Sequence, residues 1–122
     1  MTLQKIAIPS MGKKGLQEIV AEHFGRCPTY TILDEKGTLL EILHNSSSHM
    51  GGQGLPPELL KKNTVNVLLC QGIGPKALQL CQDLKIEVYV DYSSTVKELF
   101  DKWKNQKLSK ADSNDSCKEH LS

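Results

Sequence analysis

The sequence predicts one α/β domain in which a mixed β-sheet is flanked by helices, and three stretches carry that prediction. Val65 to Cys70 is a nearly continuous apolar run, as expected of a central strand covered on both faces. From there to Trp103 strand and helix patterns alternate, which implies a parallel pair joined by a right-handed crossover. Tyr30 to Asp34 and Thr38 to His44 flank Glu35-Lys36-Gly37, a hairpin pattern that adds an antiparallel pair.

Taken in order, Lys5 to Pro9 reads as the first strand and Ser10 to Gly15 as a polar loop. Leu16 to Glu22 is ambiguous: Leu16, Ile19 and Val20 have helical spacing, but the stretch is short and also suits an irregular or extended path. After the hairpin, Asn45 to Pro57 is loop, because glycine, serine and proline at that density oppose both helix and strand. Pro57 opens a short helix through Lys62, since proline suits the first helical turn. Gly72-Ile73-Gly74-Pro75 turns the chain into a helix over Lys76 to Leu84, with Ala77, Leu80, Cys81 and Leu84 on one face. Ile86 to Val90 is a further buried strand. Ser93 or Ser94 is expected to cap a last helix carrying Val96, Leu99, Phe100 and Trp103. Residues 1–106 then form the domain. The polar composition beyond it assigns residues 107–122 to a flexible C-terminal tail.

A chain of 122 residues is long enough to bury a real core, and 39% hydrophobic with 24% charged residues is ordinary for a globular protein. A formal net charge of +1 gives no electrostatic reason to expect nucleic acid or an anionic membrane as partner. No apolar run is long enough to span a bilayer, and no basic-then-apolar leader precedes the first strand, so a cytoplasmic location is expected. Cys27, Cys70, Cys81 and Cys117 would be thiols there. They form neither a Cys-x-x-Cys pair nor a zinc-finger spacing.

The segment His23-Phe24-Gly25-Arg26-Cys27-Pro28 holds the densest chemistry, with an imidazole, a guanidinium and a thiol around one glycine. Histidine and cysteine are natural ligands of iron and other transition metals. Arginine can pair with an anionic cluster and lower the pKa of a nearby thiol. Glycine permits a sharp turn or close approach to a bulky ligand. The same segment also suits a plain loop with Phe24 as core anchor and Cys27 buried.

His-Phe-Gly-Arg-Cys-Pro resembles the signature of the dinitrogenase iron–molybdenum cofactor biosynthesis family, the group that includes NifX and the C-terminal domain of NifB. Further segments agree in order: the Asn45 to Gly54 loop with His49, the Val65 to Gly74 strand and Gly-x-Gly turn, and Lys85-Ile86-Glu87-Val88-Tyr89. The resemblance covers about residues 4 to 106. It implies a three-layer α/β/α sandwich with a mixed sheet, of the ribonuclease-H-like kind. It also implies non-catalytic binding, carriage or storage of an iron–sulfur or iron–molybdenum–sulfur cluster, with a cluster-biosynthesis or acceptor protein as partner. On that analogy His23 ranks first as ligand, Cys27 second and His49 third, with Arg26 and the loop amides balancing negative charge. Two positions depart from the pattern: Thr29 precedes Tyr30 where relatives often have two aromatics, and Lys85 stands where glycine is common.

Other residues have competing readings. The turn at Gly72 and Gly74 either cradles an anion with its amides or serves only strand–helix packing. Cys70 and Cys81 are expected in the core. Cys117 and His120 make a Cys-x-x-His pair in the tail, a weak chelate by itself. Asp34, Glu41, Glu87 and Asp91 are the strand-borne carboxylates of a nuclease reading, which requires them to converge on metals. A thiol-redox reading requires an exposed Cys27 with a depressed pKa. A cluster-free interaction or regulatory module on the same fold is the remaining alternative.

Overall fold

A computed structural model describes residues 4–45 and 56–110. Strand β1 (Lys5–Ser10) lies inside the sheet, hydrogen-bonded on both edges. On one side it pairs antiparallel with β2 (Thr29–Asp34), which pairs antiparallel with β3 (Leu39–His44). On the other it pairs parallel with β4 (Val67–Cys70), and β4 pairs parallel with β5 (Glu87–Val90). A two-residue strand β6 (Ser109–Lys110) closes antiparallel on β5. The result is a six-stranded mixed sheet in the order β3-β2-β1-β4-β5-β6.

Side chains alternate across a strand, and here the alternation sorts two cores. Ala7, Tyr30, Ile32, Leu68, Cys70 and Val88 point to one face. Leu60 of α1 (Pro56–Lys62) and Leu78 and Cys81 of α2 (Pro75–Asp83) cover them. Ile6, Ile8, Leu33, Val67 and Leu69 point to the other face, under Val96, Leu99 and Phe100 of α3 (Val96–Lys104). Both faces of the inner strands are therefore dry, which explains why Val65 to Cys70 shows no polar alternation. Burying one leucine such as Leu68 or Leu78 contributes about 1.5–3 kcal/mol. The three-layer α/β/α arrangement expected from the sequence is present.

Three local expectations change. Helix α3 is capped by Thr95, not by Ser93 or Ser94: the Thr95 hydroxyl accepts from the Glu98 N–H at 3.2 Å. The Glu98 carboxylate accepts in return from the Ser94 and Thr95 N–H groups, forming a capping box. The ambiguous stretch after Gly15 becomes a 3-10 turn (Gly15–Gln17) followed by single bridges, Ser10 to Val20 and Ile19 to Thr95. Finally, Leu108 packs on the α3 core and Ser109–Lys110 pair with β5, so ordered structure continues past the boundary expected at residue 106. Residues 111–122 of the expected tail, including Cys117 and His120, lie outside the described residues, as does the loop 46–55 with His49.

Candidate functional site

The parallel strands β1, β4 and β5 end together at Ser10, Cys70 and Val90, and in α/β sheets ligands gather outside that edge. Met11 follows β1 directly, Gln71 follows β4, and Tyr92 and Ser94 follow β5. A fourth segment, Ile19 to Arg26, runs across these ends. Together they line a cleft of about 700 Å³.

Hydrogen bonds hold that fourth segment to every neighbour. Met11 N–H donates to the Ile19 carbonyl at 3.0 Å, and Ala21 N–H to the Pro9 carbonyl at 2.9 Å. Val20 N–H donates to Ser94 at 3.0 Å, and Phe24 N–H to Gly72 at 3.1 Å. The buried Glu18 carboxylate accepts from the Lys14 and Ile19 N–H groups at 3.1 and 2.9 Å, tying down the turn that carries Met11. A loop with this many fixed amides is a preformed wall.

Within this frame His23 and Arg26 are exposed and line the cleft. Arg26 N–H donates to the His23 carbonyl at 3.2 Å, a turn made possible by Gly25 at φ +94°. Asn45 fixes the far side of this turn: its side-chain amide donates to the Gly25 carbonyl at 3.0 Å and to the Cys27 carbonyl at 2.8 Å. Glu22 stands beside His23, with carboxylate and imidazole 3.8 Å apart. Met11, Ile19 and Tyr92 expose 55%, 59% and 71% of their surface, so the described residues give the cleft an apolar rim with one guanidinium, one imidazole and one carboxylate on it.

Cys27 is not part of that lining. It is 2% exposed and packs in the α1/α2 core with Phe24 and Tyr30. Burial pushes its thiol pKa up, against a smaller downward pull from the neighbouring Tyr30 hydroxyl. The expectation of an Arg26-activated thiol, and with it the thiol-redox reading, is therefore corrected: desolvation outweighs any cation nearby. The expected Cys27 ligand thus lies in the core beside the cleft and not on its surface. Gly72 and Gly74 do not line the cleft either. Gly72 instead packs its backbone on the segment, where an added Cβ would meet the Glu22 carbonyl at 3.2 Å, while one on Gly74 would meet open space. Cys70 and Cys81 are core residues as expected, and burial pushes the Cys81 thiol up to about 12.

The carboxylates do not converge. Asp34 accepts from the Lys36 and Thr38 N–H groups of the hairpin turn, Glu41 is exposed on edge strand β3, Glu87 accepts from the Tyr89 hydroxyl, and Asp91 pairs with Lys102 at 3.4 Å. Among the described residues no group of three or more His, Cys, Asp or Glu side chains is placed to hold a metal ion. The nuclease reading has no site there. Nor is any described helix long and apolar enough to cross a membrane.

The sheet order, the two-sided core and a cleft at the strand ends carrying the His-Phe-Gly-Arg-Cys-Pro segment define a class, and residues 4–106 match the family described as dinitrogenase iron–molybdenum cofactor. The chain belongs to that family. An uncharacterised protein of Methanocaldococcus jannaschii is 33% identical over 113 residues, 88% of this chain and 92% of the relative. The apo form of the orange protein from Desulfovibrio gigas superposes with a TM-score of 0.79 at 28% identity, covering 90% of this chain and 94% of that one. A Thermotoga protein proposed to be a NifB protein superposes with a TM-score of 0.74, also at 28% identity, covering 88% and 92%.

Proposed function

We propose that this chain binds, carries or stores a preformed iron–sulfur or iron–molybdenum type cluster as cargo, docked in the cleft, and performs no catalytic turnover on it. The observation that supports this reading is the cleft's composition. Met11, Ile19 and Tyr92 offer apolar and polarisable surface suited to sulfide, while His23 and Arg26 offer an imidazole donor and a fixed positive charge. Clusters built into proteins are held by several cysteine thiolates, and the described cysteines are buried away from this surface. The donor set therefore fits a cluster assembled elsewhere and held by shape, charge and one imidazole. His49, in the loop outside the described residues, remains a second candidate donor. A cytoplasmic location, and a biosynthesis or acceptor protein as the exchange partner, belong to the same reading. So does the division into a cluster-binding domain and a polar tail.

Anaerobic purification followed by metal and sulfide analysis, repeated after loading with iron, sulfide and molybdate, tests this. The expected result is stoichiometric metal with sulfide, lost in His23→Ala. Unchanged stoichiometry and affinity in that variant would remove His23 from the site. The exposed rim of Met11, Ile19 and Tyr92 also suits an apolar protein partner, which favours the interaction-module reading as runner-up. That reading predicts no metal under any loading condition.

A further inference from the structure

The geometry points to Glu22 as the residue that limits how much negative charge the cleft retains, and so as a determinant of cargo selectivity and release. The inference rests on the docking reading above. Among the described residues, three charged or protonatable groups besides the Tyr92 phenol line the cleft: Glu22, His23 and Arg26. Glu22 cancels the Arg26 charge, leaving the lining with no net formal charge when the imidazole is neutral. Lys13 and Lys14 flank Met11 in sequence but do not line the cleft, and Asp91, next to Tyr92, is engaged by Lys102. Glu22 is thus the one carboxylate among the described residues that line a surface proposed to hold an anion.

Backbone geometry keeps it there. Ala21 N–H is bonded to Pro9 and Phe24 N–H to Gly72. The Gly72 backbone lies so close that an added Cβ would meet the Glu22 carbonyl at 3.2 Å. These bonds fix the backbone that carries Glu22 at the rim, while its side chain is 82% exposed. The 3.8 Å approach to His23 has a second effect, because a carboxylate beside the imidazole competes with an incoming anion for the same side chain. Both side chains are largely exposed, so the effect of the charge is modest and sensitive to salt. A carrier must release as well as bind, and a repulsive charge on the rim penalises highly charged cargo most.

Two tetrahedral sulfide anions of similar size, tetrathiomolybdate (a dianion) and tetrathioperrhenate (a monoanion), separate charge from shape. Anaerobic titration of the parent, Glu22→Gln and Glu22→Asp with each is the test. Glu22→Gln should bind the dianion about 2- to 5-fold more tightly, the range expected for one exposed charge, with a smaller gain for the monoanion. The gain should shrink at high salt, and Glu22→Asp should stay near the parent. Equal gains for both anions, or none, in a parent that does bind them would overturn the role of Glu22 and leave the docking reading intact. A folded parent that binds neither anion would overturn both.

Discussion

Asn45 is the residue whose replacement tests the site architecture most directly. Its side chain is buried, and the amide donates to the Gly25 carbonyl at 3.0 Å and the Cys27 carbonyl at 2.8 Å. Each such bond contributes about 0.5–1.5 kcal/mol net, and a buried carbonyl left without a donor costs about 1–3 kcal/mol more. Asn45→Ala should therefore destabilise the protein by about 2–4 kcal/mol. For a domain of this size that lowers Tm on the order of 10–20 °C. Asn45→Asp keeps the shape but turns an ionised, acceptor-only group toward two carbonyls, so at neutral pH it should be no better than alanine. Urea unfolding followed by fluorescence provides the measurement. Trp103 is the only tryptophan, and it sits 5.7 Å from the Phe100 ring in the α3 core. A loss below about 0.5 kcal/mol for both variants would refute the claim that Asn45 holds the His23–Cys27 turn.

Thiol chemistry and the Glu18 brace give two further predictions. In a Cys117→Ser background, the native protein should resist alkylation at pH 8 until it is unfolded, because Cys27, Cys70 and Cys81 are all buried; rapid labelling of Cys27 would revive the redox reading. The Cys27 pKa is raised on folding, so its contribution to stability is complete below the ordinary thiol pKa. That contribution is lost as pH rises toward the folded value, and stability measured by urea unfolding should decline on the alkaline side. Gly12→Ala would place a Cβ 2.6 Å from Glu18 Oε1 and displace the carboxylate that braces the Met11 turn. A loss of about 1–3 kcal/mol is expected, with slower unfolding than the parent as the contrary result.

Elements whose pattern is local were legible, and elements made by tertiary pairing were not. The hairpin, the dry β4 run and the amphipathic face of α3 follow directly from residue spacing, whereas on α2 the buried leucine is Leu78 and not the expected Leu80. The Thr95 cap was missed although its signal is local: Thr95-Val96-Lys97-Glu98 fits a capping box, while Ser94 has Lys97 three residues on. The two-residue β6 has no pattern of its own; it exists because β5 presents an open edge. Of the residues that line the cleft, His23 and Arg26 stand out in the sequence through their segment. Met11 and Tyr92 were missed, although each lies within two residues of the end of a parallel strand, which is the signal that marks them. The direction of Cys27 could not be read from the chain. Its neighbour Pro28 fixes backbone preference, but only the packing of Phe24 and Tyr30 decides that the thiol turns inward.

The stitching of Ile19 to Phe24 onto three separate loops bears on how cargo would leave. A pocket whose walls are already ordered loses little chain freedom on filling and gains little on emptying. On the docking reading proposed above, such a carrier would have no built-in spring, and departure would be governed by what waits outside. An acceptor offering more donor atoms than one imidazole would take the cluster by competition. Transfer would then be directional because the recipient binds better, with the donor's shape the same before and after.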